Sequence, residues 1–135
     1  MMPQPTHGDR HVFVYGTLRA GGSNDIARYR PRPRRLGDGV IAGTLYDLGP
    51  YPGAVLGGTG RIRGEVYRIA PEVEAELDLL EGVLADGSGE YVKRELDVTV
   101  GQSQVRCLVY EIHPDRIDGR PVINSGDWDA RGLST

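Results

Sequence analysis

Two stretches of the chain hold residue types, in an order, that can do acid–base chemistry. The first is Tyr15-Gly16-Thr17-Leu18-Arg19, at the end of an apolar run. A chain that leaves a buried strand and turns sharply at a glycine can aim successive backbone N–H groups into one concavity. Such a concavity binds a carboxylate or a developing oxyanion. The second is Leu77-Asp78-Leu79-Leu80-Glu81-Gly82-Val83. Glu81 falls in the last turn of a predicted helix, where the partial negative charge of the helix end disfavours ionisation. Asp78, three residues earlier on the same face, adds like-charge repulsion. Both effects raise a carboxyl pKa above its usual ~4.3, and burial in a pocket pushes the same way, toward the range where a carboxylate serves as a general base at neutral pH. Taken singly, the first stretch also reads as an ordinary strand end and the second as an ordinary acidic helix.

Other constellations offer less. Cys107 lies in the middle of a predicted apolar strand, where cysteine behaves as a small hydrophobe rather than a nucleophile. His7, His11 and His113 do not stand at metal-ligand spacing with it, so no zinc site is expected. Gly57-Gly58-Thr59-Gly60 is glycine-rich, but no helix start follows it, as a phosphate cradle requires.

The elements that must position the two stretches follow from periodicity. His11–Tyr15 reads as a buried central strand, followed by a turn over Thr17–Gly22. Ser23-Asn24-Asp25 caps a short helix running to about Tyr29, and Pro31 and Pro33 end it. Val40–Leu48 and Ala54–Leu56 are strands on either side of the Gly49–Gly53 turn cluster. Arg61–Ile69 is a further strand, with Gly64 as a potential bulge. Pro71 suits the first position of the one strong helix, Glu72 and Glu74 favour its positive end, and Gly82 stops it. Val73, Leu77, Leu80 and Leu84 form its apolar face. Tyr91–Val100 and Val105–Ile112 make a hairpin around Gly101-Gln102. Pro114–Thr135 is a turn-rich tail, part of which packs over the rest through Trp128. This order predicts an α+β fold with a mixed, mostly antiparallel sheet, closed into a β-barrel, with one main helix and short flanking helices. It lacks the βαβ alternation of a doubly wound fold.

Composition bounds the classes. A chain of 135 residues fits a single domain, here 11–135 behind a loose polar tail over 1–10. A net charge of −3 speaks against nucleic acid as a partner. Arg28–Arg35 contains five arginines and reads as a solvated proline-rich loop, with an anion or RNA contact as the alternative. One cysteine permits no internal disulfide, which fits a reducing cytoplasm. No apolar run reaches the ~20 residues of a membrane span.

The ordered set of motifs resembles the γ-glutamylcyclotransferase family, which includes γ-glutamylamine cyclotransferases, AIG2-like plant proteins and many bacterial members. The resemblance rests on Tyr-Gly-Thr-Leu-Arg at 15–19 and Leu-Asp-x-x-Glu-Gly-Val at 77–83. Gly64-Glu-Val-Tyr-Arg-Ile69, Tyr91-Val-Lys-Arg94 and Ser125-Gly-Asp-Trp128 extend it, so that it covers residues 11–128. It implies a small-molecule γ-glutamyl substrate, cleaved by intramolecular aminolysis to release 5-oxoproline without metal or organic cofactor. On this resemblance Glu81 matches the catalytic glutamate. Tyr15, Gly16, Thr17 and Leu18 match the substrate-binding turn, and Tyr91 a tyrosine near the pocket. Arg19 is a candidate for the substrate carboxylate. The amides of Gly16–Leu18 hold either the α-carboxylate or the oxyanion. A non-catalytic binding module on the same fold is the alternative reading. Leu84–Glu90 departs from the family pattern as an insert that lengthens a loop over the pocket.

Overall fold

The computed structural model describes residues 9–84 and 88–130. The chain runs β1 (Arg10–Val14), a 3-10 turn (Ile26–Arg28), β2 (Arg34–Asp47), β3 (Pro52–Ile69), α1 (Pro71–Leu80), β4 (Tyr91–Val100) and β5 (Ser103–Ile112). Two further 3-10 turns, Pro114–Arg116 and Trp128–Ala130, lie in the tail. The tail expected over 1–10 lies largely outside the described residues, but Arg10 already opens β1.

The five strands form one mixed sheet in the order β2-β3-β1-β5-β4. β1 runs antiparallel to β3 and parallel to β5, where His11 faces Cys107. β2–β3 and β4–β5 are antiparallel hairpins. The α+β class and the mixed, mostly antiparallel pairing are therefore as predicted, but the barrel is not. The sheet is open: no ladder joins edge strands β2 and β4 among the described residues. They meet through side chains instead. Val98 and Val100 lie over β2, with Cγ1 atoms 2.7 and 3.0 Å from where Cβ atoms on Gly39 and Gly37 would stand. Side chains interposed at that distance keep the two backbones from pairing.

The two strands expected at 54–56 and 61–69 are one long strand, β3. Its pairing with β2 jumps from Ala42↔Arg61 to Gly43↔Leu56, which loops Gly57–Gly60 out of the ladder. A second register shift lies between Arg35 and Gly37, and neither falls at Gly64, which pairs in register with Gly39.

Apolar residues of β1 go to both faces, as its unbroken hydrophobic run requires. Val12 and Val14 join Ile69, Val73, Leu77 and Leu108 beneath α1, while Phe13 and Tyr15 join Ile62, Val66, Val109 and Trp128 on the other side. Val73 and Leu77 are fully buried and anchor α1, contributing roughly 1.5–3 kcal/mol each. The apolar face ends there. Leu80 is 43% and Leu84 56% exposed, because the helix stops and the chain swings away from the sheet.

The short helix at 23–29 is a single 3-10 turn whose cap is Asp25; Ala27 N–H donates to its Oδ1 at 2.9 Å. The tail is stitched onto β2 and β3. Asp47 N–H donates to Pro121 O (2.8 Å), Ile123 N–H to Leu45 O (2.7 Å) and Arg63 N–H to Gly126 O (2.8 Å), and Trp128 is buried. Among the described residues no helix is long and apolar enough to cross a membrane.

Candidate active site

β1 delivers Tyr15 and Gly16 to the edge of the sheet, and the chain then turns back. Arg19 N–H closes that turn on Gly16 O at 3.0 Å. Asn24 N–H donates to Thr17 O (2.9 Å), its Nδ2 to Thr17 Oγ1 (3.1 Å), and Ile26 N–H to Leu18 O (3.0 Å). The side chain of Leu18 is buried and pins the loop. The carbonyls of Gly16, Thr17 and Leu18 are thus all occupied. Their N–H groups have no acceptor among the described residues. A turn with satisfied carbonyls and open amides presents a positive face to whatever occupies the space in front of it.

That space is a cavity of about 250 Å³. Tyr15, Gly16, Thr17, Leu18, Glu81 and Tyr91 all line it. Glu81 caps α1, with its N–H on Leu77 O at 2.9 Å, and Gly82 follows in the left-handed region at φ +64°. This turn lets the helix end abruptly at the cavity wall. Burial pushes the Glu81 carboxyl up to about 7, and the nearby charge of Glu90 pushes the same way. The direction is as the sequence predicts, and burial leads; the like charge is Glu90 and not Asp78. Asp78 is engaged elsewhere, accepting from Lys93 Nζ at 2.9 Å and from Tyr110 OH at 2.7 Å.

Buried tyrosines build the rest of the wall. Tyr15 OH donates to Tyr110 O (2.5 Å) and accepts from Ala54 N–H (3.2 Å), while Tyr91 OH donates to Pro52 O at 2.6 Å. The hydroxyl proton of Tyr91 therefore goes to the backbone, not to Glu81. Burial first, then nearby carboxylates, push these phenols well above their ordinary range, so they stay neutral. The rings exclude water around Glu81, and their hydroxyls hold strand ends together.

Arg19 does not join the site. Its guanidinium lies on Glu65 (Nε–Oε2 3.1 Å), Asp127 (Nη1–Oδ1 2.8 Å) and Asp129 (3.5 Å). Glu65 is only 4% exposed and also accepts from Ala20 N–H and Tyr67 OH, each at 2.9 Å. Arg19 thus neutralises a buried carboxylate and ties the Gly126-Asp127-Trp128 tail to the sheet. Cys107 is buried in β5, with its thiol pushed up to about 11 by that burial.

Reasoning from sequence missed Tyr51, Glu90, Tyr110 and Asn24, all on the cavity wall. Tyr51 OH donates to Glu90 Oε2 on that wall. The available signals were an aromatic between two turn prolines and an acid just ahead of Tyr91. The insert expected at 84–90 falls partly outside the described residues. Its end is fixed: Glu90 N–H donates to Gly82 O (3.1 Å) and His113 N–H to Glu90 O (2.9 Å).

A mixed sheet with one packed helix thus carries a small cavity lined by a loop of open amides and a desolvated glutamate. The model of the family "Gamma-glutamyl cyclotransferase, AIG2-like" matches residues 12–130, and the chain belongs to that family. It is 40% identical over 118 residues to the γ-glutamylcyclotransferase family protein YtfP of Escherichia coli K12, covering 87% of this chain and 94% of that one. It is 33% identical over 95 residues to the γ-L-glutamyl-butirosin B γ-glutamyl cyclotransferase of Niallia circulans, covering 69% of this chain and 59% of that one. Among solved structures, it resembles an AIG2-like protein from Mus musculus, with a TM-score of 0.75 and 26% identity over 93% of this chain and 92% of that one.

Proposed function

We propose that the protein releases 5-oxoproline from a γ-glutamyl amine or γ-glutamyl amino acid, with Glu81 as general base and then general acid. The substrate's α-amine attacks its own γ-carbonyl carbon. A new C–N bond closes the five-membered ring, and the bond to the leaving amine breaks. Both reacting groups belong to one molecule, so folding it into the cavity supplies much of the acceleration. The α-amine is mostly protonated at neutral pH. Glu81 takes one proton from it before attack and a second from the ring nitrogen after attack, passing one to the leaving nitrogen as its C–N bond breaks and the other to the departing amine, so the two protons lost at one nitrogen are regained at the other. The open amides of Gly16, Thr17 and Leu18 hold negative charge, on the α-carboxylate or on the oxyanion of the tetrahedral intermediate. Tyr15 and Tyr91 keep the walls dry.

One observation carries this reading: a desolvated carboxyl near neutrality shares a small cavity with a loop of unpaired amides. Family membership supports cyclotransferase chemistry in general. The test is incubation with γ-glutamyl dipeptides, γ-glutamyl-ε-lysine and glutathione, followed by assay of 5-oxoproline. Turnover of at least one, lost in Glu81→Gln, supports the assignment. Tight retention of 5-oxoproline without turnover of any would leave a binding module instead.

A further inference from the structure

The substrate cavity has a neighbour. A second cavity of about 400 Å³ is lined by Asn24, Arg28, Tyr29, Arg30 and Glu76. The two share walls. Asn24 lines both, and Glu76 and Leu80, one turn apart on α1, line one each. Tyr29 bridges them electrostatically, because the charges of both Glu76 and Glu81 act on its hydroxyl. The second cavity, a groove lined by Tyr29 and Arg28, therefore adjoins the first at Asn24.

The far end of this groove holds guanidinium groups that no carboxylate pairs directly. Arg10, Arg68, Arg94 and Arg106 each pair with a carboxylate. Arg28, Arg30, Arg32 and Arg34 form no ion pair among the described residues, in a chain whose net charge is −3. The guanidinium of Arg30 is turned onto the carbonyls of Ala27 and Tyr29, both at 2.8 Å. Asp25 accepts from the amides of Gly21 and Ala27, each at 2.9 Å, and its charge offsets part of that of Arg28 and Arg32 without forming an ion pair with either. Glu76 sits on the helix side of the groove and makes no ion pair with Arg28. An anion entering here is attracted on the loop side and repelled on the helix side.

Resting on the cyclotransferase reading, we infer that this groove is the leaving-group subsite and that Arg28 selects leaving amines that carry an anionic group. The part of the substrate beyond the scissile amide leaves the cavity along Asn24 and Tyr29. A free carboxylate on it, as in a γ-glutamyl amino acid or short γ-glutamyl peptide, meets the guanidinium of Arg28. A neutral leaving amine forgoes that attraction, and a polycationic one is repelled. The asparagine and the tyrosine supply polar edges and a flat face that tolerate different side chains.

The test compares kcat/KM for γ-glutamyl-alanine and γ-glutamyl-alaninamide, in which a carboxamide replaces the carboxylate of the leaving group. The full chain should favour the carboxylate about tenfold at low salt, and the preference should shrink at high salt because the attraction is at a solvent-facing rim. Arg28→Ala should bring the ratio of the two values close to one, and Arg28→Glu should invert it. The ratio is internal to each variant, so partial loss of folded protein does not affect it. A ratio near one in the unaltered chain, or one that both Arg28 variants leave in place, overturns the subsite while 5-oxoproline formation still stands. Absence of 5-oxoproline from both substrates overturns the cyclotransferase reading itself, and the subsite with it.

Discussion

Glu90 stands on the wall of the cavity that holds Glu81, and the hydroxyl of Tyr51 fixes its carboxylate there. Its backbone is held as well, by Gly82 and His113. Among the described residues, the other titratable groups whose ionisation responds to Glu81 are neutral phenols, those of Tyr15, Tyr29, Tyr91 and Tyr110. Glu90 is thus the fixed negative charge that makes Glu81 harder to ionise, second to burial. Glu90→Gln should move the acid limb of the kcat/KM profile to lower pH, by about one pH unit or less, since burial remains. An unmoved limb would show that Glu90 has no hold on the base.

In the unaltered protein, kcat/KM should fall about tenfold per pH unit below about 7, where Glu81 becomes protonated. Glu81→Gln should cost about 10²–10⁴ in kcat, the range for loss of a general acid–base group. Release of 5-oxoproline across pH 5–9 measures both. A Gln variant within tenfold of the parent would remove Glu81 from the chemistry.

The same carboxyl makes stability depend on pH, with a definite sign. Its folded pKa is raised from 4.5 to about 7, so its contribution is fully present below about 4.5 and is lost as pH rises through 7. The charged form is disfavoured in the fold by at most about 3–4 kcal/mol, at ~1.4 kcal/mol per tenfold change in equilibrium constant. Glu81→Gln removes this penalty. Its Tm relative to the parent should therefore climb between pH 5 and pH 8.5, and a difference that stays flat with pH would contradict the desolvation.

Arg19→Met should act on stability more than on substrate binding. Removing one partner of a buried ion pair leaves the Glu65 carboxylate uncompensated, which costs about 3–5 kcal/mol when burial is complete and less here, because Arg19 is partly exposed. Denaturant unfolding should show a loss of about 2–4 kcal/mol, with KM near the parent value at temperatures where the variant is folded. A large KM increase at unchanged stability would return Arg19 to the substrate.

Gly16→Ala tests the cradle. A Cβ at this position would lie 2.6 Å from Pro52 Cγ and 2.7 Å from Pro52 Cδ, closer than real contacts allow. Pro52 is also the residue whose carbonyl accepts from Tyr91. The substitution should displace the turn or that loop and reduce kcat/KM by about 10²-fold, as misplacement of ~1 Å does. Activity within threefold of the parent would mean that the amides of this turn are not needed in place.

Local rules carried a large part of the reading. Pro71 at the first helical position, the Val73–Leu77 spacing and Gly82 after the last turn set both ends of α1, and so placed Glu81 at a helix terminus. The unbroken run Val12–Tyr15 marked a strand buried on both faces, with its turn at Gly16. These features depend on φ/ψ preference, capping and a period of 3.6 or 2, all of which act over a few residues. The order of the motifs along the chain was likewise enough to identify the family.

What lay beyond the sequence depends on pairings between distant residues. Tyr51, Glu90 and Tyr110 reach one cavity because β3, β4 and β5 share a sheet, and a strand pairing has no signature in either strand alone. The direction in which Arg19 points was settled by a buried carboxylate 46 residues away. Asp78 was a reasonable local neighbour for Glu81, yet Lys93 and Tyr110 drew it away, and Glu90 took its place. The residue types and their short-range geometry were written in the chain. Which charges meet, which are hidden from water, and how far a carboxyl moves from its ordinary pKa were decided only when long-range packing excluded solvent from the space between them.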